Sequence, residues 1–125
     1  MAFLFAVVLS FFGIRAALAA HYVSLNTRAG FETAVRLEPN DPRVWYFLGR
    51  YWQYDPVEAD TGRAIRAYRT SLSLNHLSAD VWLDLASVYE TEGEIDAARK
   101  AFLEATHPYP VSSEVLWSYG NFLLR

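Results

Sequence analysis

The side chains best suited to metal binding or acid–base chemistry in this chain are its three histidines, His21, His76 and His107. No two of them stand four residues apart, as a metal-binding helix of the His-x-x-x-His type requires. His76 and His107 fall in segments that we expect to be turns between helices, where an exposed polar residue needs no catalytic explanation. The histidines therefore provide no candidate catalytic residue and no candidate metal ligand.

Acidic residues cluster in one part of the chain, as Asp80 with Asp84 and as Glu90 with Glu92 and Glu94. A solvated helix face or a helix cap explains both clusters. The sequence contains no glycine-rich phosphate loop, no nucleophile elbow and no cysteine. We therefore predict that the protein is not an enzyme, and that it uses no cofactor and no metal ion.

Charge and composition narrow the classes of partner. The 125 residues carry a formal net charge of −3, which provides no positive field for nucleic acid. The absence of cysteine excludes a disulfide framework. Beyond an apolar N-terminus, about a hundred residues remain, which is enough for one small domain. We therefore predict protein partners and no nucleic acid.

The polar residues are positioned by a segment that recurs along the chain. Its three copies are Val44-Trp45-Tyr46-Phe47-Leu48-Gly49, Val81-Trp82-Leu83-Asp84-Leu85-Ala86 and Val115-Leu116-Trp117-Ser118-Tyr119-Gly120. The first two start 37 residues apart and the last two 34 residues apart. A period of about 34 residues is typical of stacked helical hairpins, in which each unit buries its apolar face against its neighbours. No strand pattern competes, so the expected fold class is all-α.

The second copy extends into a whole hairpin pattern. Its large and small residues, in order along two helices and the turn after them, are Trp82, Leu85, Ala86, Tyr89, Ala98, Phe102, Ala105 and Pro110. This pattern closely resembles the tetratricopeptide repeat, and the resemblance covers roughly residues 24–125. Departures occur at His76, where proline is usual, at Ser71, where alanine is usual, and in a longer turn at 55–62. The resemblance implies a helical-hairpin solenoid that binds other proteins.

The small residue that closes each copy of the segment has an expected packing role. Gly49, Ala86 and Gly120 leave room for a neighbouring helix to approach closely. Large side chains such as Trp45 and Phe102 would fill the space around them. We therefore expect all three small residues to face a close neighbour.

The N-terminal segment is apolar and long. Met1 to Ile14 contains no charged side chain, and the apolar run continues to Ala20 with Arg15 as its one interruption. Such a helix is about long enough to cross a bilayer. A cleaved secretory signal would need a basic leader, which is missing, and the buried core helix of a soluble protein would show a polar stripe. We therefore predict a retained transmembrane helix at residues 1–22, or an equally apolar helix buried in a large assembly.

The predicted location is a membrane that the chain crosses once, with the side of the repeat domain left open. Arg15 would lie near the interface, with His21 and Tyr22 among the headgroups, or it would pair with a partner's carboxylate inside the membrane. No proline interrupts the stretch up to Leu37. We therefore predict one long helix, or two nearly collinear ones, from the membrane segment into 27–37.

The expected organisation is the apolar helix at 1–22 followed by a tetratricopeptide-like domain at 23–125. Within this domain we expect a partial unit, two full units and a final partial unit, at 23–40, 41–77, 78–111 and 112–125. The last unit has a first helix without a second helix to cover it. We therefore expect that the natural protein continues beyond Arg125 or that another subunit covers this end.

The resemblance also implies which residues would contact a ligand. In tetratricopeptide arrays the first helix of each hairpin lines a concave surface. The family's contact positions fall here on Arg43, Tyr46, Arg50, Gln53, Tyr54, Asp80, Leu83, Ser87, Glu90, Thr91, Glu114, Trp117 and Asn121. The set on the earliest of these helices is basic and aromatic, and the next set is acidic. Such a mixed groove does not resemble the basic clamp that some members use for peptide carboxylates, so binding of chaperone tails is disfavoured.

Two functions are compatible with these features. The predicted one is a non-enzymatic, membrane-anchored scaffold or accessory subunit that contacts other protein subunits of a larger complex. The alternative is a structural subunit that associates with itself into a filament, through its apolar helix and its open repeat ends. The overall arrangement is also similar to bacterial proteins that carry tetratricopeptide repeats behind hydrophobic segments.

Overall fold

The computed structural model describes residues 1–107 and 112–125, apart from the side chains of residues 2 and 3. This part of the chain forms seven α-helices and no strand, which confirms the all-α fold class. The helices are α1 (Ala2–Ser24), α2 (Arg28–Leu37), α3 (Pro42–Tyr54), α4 (Thr61–Leu74), α5 (Ala79–Thr91), α6 (Ile95–Ala105) and α7 (Ser113–Leu123). Pro110, which the repeat pattern places after the second helix of the Trp82 unit, lies outside the described residues.

Several helices begin where a short polar side chain caps the first turn. Asp41 accepts a hydrogen bond from the backbone N–H two residues on at 2.9 Å, and Asp60 accepts one from three residues on at 2.8 Å. Thr27 and Ser112 accept equivalent bonds at 3.1 and 3.2 Å. Such a cap contributes about 1 kcal/mol. The starts of α2, α3, α4 and α7 are therefore specified by local sequence.

Consecutive helices pair into hairpins. Helix α3 packs on α4, α5 packs on α6, and α1 packs on α2, while α7 packs against α6. The first helices of successive hairpins, α1, α3, α5 and α7, also contact one another in that order. This is the helical-hairpin solenoid that the repeat period predicts.

The prediction of one long helix, or two collinear ones, through residue 37 is wrong. The chain reverses between α1 and α2, where Asn26 adopts a left-handed conformation with φ of 50°. Gly30 then lies so close to α1 that a Cβ at this position would clash with the Tyr22 carbonyl oxygen. The second half of α1 is therefore the first helix of a hairpin with α2. The predicted boundary between residues 22 and 23 falls inside α1, and the division of the chain into two units stays a prediction.

Arg15 has partners within its own chain. Its guanidinium donates to the carbonyl oxygen of Leu37, with Nε at 3.1 Å, and Nε lies 3.5 Å from the Glu38 carboxylate. A cation at this place complements the free carbonyl groups and the negative end of α2. Glu38 of the same chain thus provides a carboxylate for Arg15, which the alternative interpretation assigns to a partner inside the membrane.

Two tryptophans at the same repeat position tie each hairpin to the one before it. The indole N–H of Trp45 donates to the carbonyl oxygen of Pro39, and that of Trp82 donates to the carbonyl oxygen of His76, both at 2.8 Å. Trp82 also packs against both larger apolar clusters of the core. The contact explains why a tryptophan, with its single donor, suits this position better than another large apolar residue.

The expected close packing at the small residues holds at two positions. A Cβ on Gly49 would lie 2.6 Å from the ring of Tyr68, and Ala86 is fully buried. The expectation is wrong for Gly120, where a Cβ would meet no described atom within 4 Å. Among the described residues, no later helix packs on that face of α7, so its space is open.

Candidate functional site

The predicted contact residues lie on three first helices that neighbour one another. Those on α3 are Arg43, Tyr46, Arg50, Gln53 and Tyr54; those on α5 are Asp80, Leu83, Ser87, Glu90 and Thr91; and those on α7 are Glu114, Trp117 and Asn121. The structure divides them into a groove between α5 and α7, a polar cluster between α3 and α5, and residues with other contacts.

The groove between α5 and α7, called the α5–α7 groove below, is an open cavity of about 280 Å³. The predicted contact residues that line it are Tyr54, Leu83, Ser87, Glu90, Glu114, Trp117 and Asn121, and the other lining residues are Asp84, Phe102, Ser118 and Arg125. Trp117 is 72% exposed and packs little against its own chain. An exposed indole beside hydrogen-bonding side chains is typical of a surface that binds a protein partner.

The charges in the α5–α7 groove are mixed. Arg125 pairs with Glu90, with Nη1 2.6 Å from Oε1. Glu114 and Asp84 add two further carboxylates to the lining. Because Arg125 is the one basic residue of this lining, the groove presents more negative than positive charge to a ligand.

The polar cluster between α3 and α5 centres on Asp84. The Arg50 Nε lies 4.0 Å from Asp84 Oδ2, and its guanidinium lies 5.9 Å from the ring centre of Tyr46 and 5.5 Å from that of Tyr54. Burial raises the pKa of Asp84, although hydrogen bonding from Tyr46 and the charge of Arg50 act in the opposite direction. Burial, together with the nearby Asp84 charge, raises the pKa of Tyr46 to about 12. Both tyrosines are therefore neutral hydroxyl donors at neutral pH.

The remaining predicted residues have other contacts. Gln53 accepts a hydrogen bond from the hydroxyl of the buried Tyr68 at 2.5 Å, so its amide oxygen is already used. Arg43 turns back onto Asp41 at 2.8 Å and lines a separate concavity between α1 and α3. Asp80 is exposed at the start of α5, away from the lining of the α5–α7 groove.

No metal-ligand set of three or more histidine, aspartate or glutamate side chains occurs in 1–107 or 112–125. The chemistry on offer in the α5–α7 groove is hydrogen bonding, charge and aromatic contact.

The family model of the tetratricopeptide repeat matches residues 58–124, which is more than half of the chain. The chain belongs to the tetratricopeptide repeat family. The predicted family is thereby confirmed, while the membrane-anchored bacterial type stays a prediction. Tetratricopeptide repeats mediate protein–protein interactions and are typically non-enzymatic.

Solved structures show the same tetratricopeptide fold. Two crystal structures of MamA match 90% of this chain with TM-scores of 0.71 and 0.70, at 22% and 23% identity, and the matches cover 67% and 62% of those chains. The type III secretion chaperone SycD of Yersinia enterocolitica, in complex with a peptide of the translocator YopD, matches 95% of this chain and 94% of its own at a TM-score of 0.67 and 15% identity. No protein of curated function matches the chain by sequence. At these identities the structural matches show the fold alone.

Asp84 is the functional candidate that the sequence interpretation misplaced. Grouped with Asp80 as part of a solvated helix face, it proves to be largely buried, with 21% of its side chain exposed. Asp84 follows Val81 by three residues and precedes Val88 by four, and this spacing on one helix face is the sequence signal that it lies near the core. No comparable local signal marks Arg125, because its partner Glu90 lies 35 residues earlier in the sequence.

We expect the substitution Asp84→Asn to change how the stability of this tetratricopeptide domain depends on pH. Because burial raises the pKa of Asp84 in the folded state, the stability that its protonation provides is complete below the unfolded pKa of 3.8. That stability is lost as the pH rises through the folded-state pKa. The melting temperature of Asp84→Asn should therefore rise relative to that of the wild type as the pH increases from about 4 to about 7.

The matched control is Asp96→Asn, which removes the same charge from an exposed position at the start of α6, because Asp96 does not contribute to the pKa shift of Asp84. If Asp84→Asn and the wild type lose or gain melting temperature in parallel over this pH range, burial does not govern the ionisation of Asp84.

Proposed function

We propose that this chain is a membrane-anchored scaffold or accessory subunit that binds other proteins of a larger complex through the α5–α7 groove and holds them at the membrane through α1. The main support for this proposal is the exposed Trp117 in the α5–α7 groove. This groove is lined by contact positions of two successive repeats. The proposal assigns no catalysis and no cofactor to the chain.

The contents of the α5–α7 groove favour a polypeptide ligand. Ser87, Ser118 and Asn121 offer hydroxyl and amide groups at its surface, and Glu90 and Glu114 offer carboxylates. These groups suit the backbone and basic side chains of a peptide, while an exposed indole suits an aromatic or aliphatic one. We therefore expect a partner segment that is apolar at one point and basic nearby.

Two properties of α1 support a retained membrane anchor. The stretch Leu4–Ser24 is 21 residues long, apolar enough to cross a membrane, and almost entirely unburied, unlike the core helix of a soluble protein. The second half of α1 also packs on α2, where Ala19 and Ala34 are both buried. Removal of α1 as a cleaved signal would uncover this face of α2, which argues for its retention.

Site-specific photocrosslinking tests the proposed groove. A photoreactive phenylalanine analogue replaces Trp117 in the full chain, expressed in its native host and irradiated in intact membranes. The matched control places the same analogue at Leu103, which is exposed on α6 and does not line the α5–α7 groove. We expect one discrete crosslinked product with a different protein at position 117 and a much weaker one, or none, at position 103.

The size and identity of the crosslinked products decide between the candidates. A ladder of multiples of the chain itself would support the filament alternative, in which exposed apolar residues of α7 such as Leu116 and Leu123 contact another copy. Equal crosslinking at positions 117 and 103 would show that the α5–α7 groove does not select a partner.

A further inference from the structure

We infer that α1 enters the lipid hydrocarbon only as far as Ile14, and that Arg15–Ser24 stay outside it as the first helix of the first repeat. This inference rests on the membrane anchoring proposed above and concerns how that anchor is used. It assigns Arg15 to the boundary between lipid and protein.

The structure divides α1 into two parts at Arg15. Every side chain from Leu4 to Ile14 is exposed, including Phe5, which is 73% exposed. From Arg15 onward, one face of the helix packs on the first repeat. Ala19 is 3% exposed there and lies in an apolar cluster with Ala34 of α2 and Val44 of α3.

The first part of α1 has the surface that lipid accommodates. The consecutive residues Val7, Val8 and Leu9 are all exposed, so the apolar surface surrounds the helix rather than forming one stripe. A groove on a protein covers one side of a helix, whereas a bilayer covers every side. The one hydroxyl in this part, Ser10 Oγ, donates to the carbonyl oxygen of Ala6 at 2.8 Å, which satisfies its donor without water.

The second part of α1 cannot join the first part in lipid while the first hairpin remains closed. A full crossing requires about 30 Å of hydrocarbon-spanning helix, which corresponds to the whole stretch Leu4–Ser24. Helix α2 lies alongside the end of that stretch and would be drawn in with it. Its charged residues Arg28, Glu32 and Arg36 would then lose their water.

Separating α1 from α2, so that α1 alone could cross the bilayer, is also unfavourable. Ala34 of α2, at 0% exposure, lies in an apolar cluster with Ala19 of α1 and would be uncovered if α1 moved away. Arg15 would also lose its bonds to the end of α2, at Leu37 and Glu38. If the hairpin stays closed and the lipid boundary lies at Arg15, α2 stays covered and Arg15 keeps its contacts with the end of α2. The charge of Arg15 then lies at the level of the lipid headgroups.

Labelling with a fluorophore tests the position of the boundary, since the chain contains no cysteine. The variants Val8→Cys and Leu18→Cys each carry one environment-sensitive nitrobenzoxadiazole group, and both native side chains are exposed. The full-length protein is reconstituted into phosphatidylcholine and phosphatidylglycerol vesicles and checked by flotation. We expect the label at position 8 to shift to shorter wavelength and resist dithionite, and the label at position 18 to remain reducible.

The outcomes separate this inference from the proposed anchoring. If the protein floats with vesicles and the label at position 18 is protected as fully as that at position 8, α1 spans with the first repeat opened, and the inference is wrong while the anchor stands. If the protein does not float with pure lipid, the anchoring itself is wrong, and the apolar helix requires a protein partner.

A substitution at Arg15 tests its role at the boundary. In Arg15→Leu, with the label at position 18, we expect at least a twofold slower reduction by dithionite, because the charge and its bonds to α2 are lost. The control Arg36→Leu removes an equal charge from α2, where Arg36 is exposed and donates a hydrogen bond to Thr33 of its own helix. An unchanged reduction rate in Arg15→Leu, or an equal change in both variants, would overturn the role assigned to Arg15.

Discussion

Replacing Trp82 with alanine should lower the free energy of unfolding by about 3 kcal/mol, whereas replacing Trp117 with alanine should leave it within about 0.5 kcal/mol of the wild type. Trp82 packs against both large apolar clusters, and its indole donates to the carbonyl oxygen of His76 at 2.8 Å. Its loss removes contacts on both sides of α5 and leaves that carbonyl without its donor. Trp117 is 72% exposed, so its loss creates no cavity.

Thermal and urea unfolding of the full chain in mild detergent, followed by circular dichroism, measures this difference. Trp82→Phe adds a further comparison, since it keeps most of the apolar volume and removes the donor, for an expected loss of about 1 kcal/mol. Equal destabilisation by Trp82→Ala and Trp117→Ala would contradict the positions that the structure gives to the two indoles.

We expect replacing Gly49 with alanine to lower the free energy of unfolding by about 2 kcal/mol, because the added Cβ would lie 2.6 Å from the Tyr68 ring. That ring cannot move away easily. Tyr68 is fully buried, and its hydroxyl is held by Gln53 at 2.5 Å. The overpacking therefore exceeds the gain of about 1 kcal/mol that alanine brings to a helix interior.

The matched control is Gly120→Ala, at the same position of the third copy of the repeated segment. No described atom lies within 4 Å of a Cβ at this position, so we expect the melting temperature to rise slightly, by the helix propensity alone. A destabilisation of Gly120→Ala similar to that of Gly49→Ala would show that another helix covers α7 in the protein as it is measured.

The repeat could be recognised from sequence because its signals are local and periodic. Residues such as Trp82, Leu85, Ala86 and Tyr89 follow the spacing of one helix face, and this spacing survives whatever the helix packs against. Helix starts could be placed for the same reason, as with Asp41, whose cap involves its own next residues. These features require no knowledge of distant parts of the chain.

The contact residues could be assigned to helices but not to one site. Family positions place Arg43 and Gln53 beside Arg50, yet each is occupied by a bond to another residue of the chain. Whether such a side chain can still contact a ligand depends on which residues of the neighbouring helices bond to it. The sequence interpretation of Asp84 as solvated failed for that reason, because its burial comes from α3 and not from α5 itself.

The amino-acid sequence by itself determined an all-α tetratricopeptide array behind an apolar helix, through a period of 34 to 37 residues and through residue spacings within single helices. Only the tertiary structure decided that α1 turns back onto α2, because that reversal depends on the left-handed Asn26 and on close contact at Gly30. It also decided that Arg15 binds the end of α2 at Leu37. The Arg15–Leu37 contact joins residues 22 positions apart across the closed α1–α2 hairpin, and no local pattern encodes it.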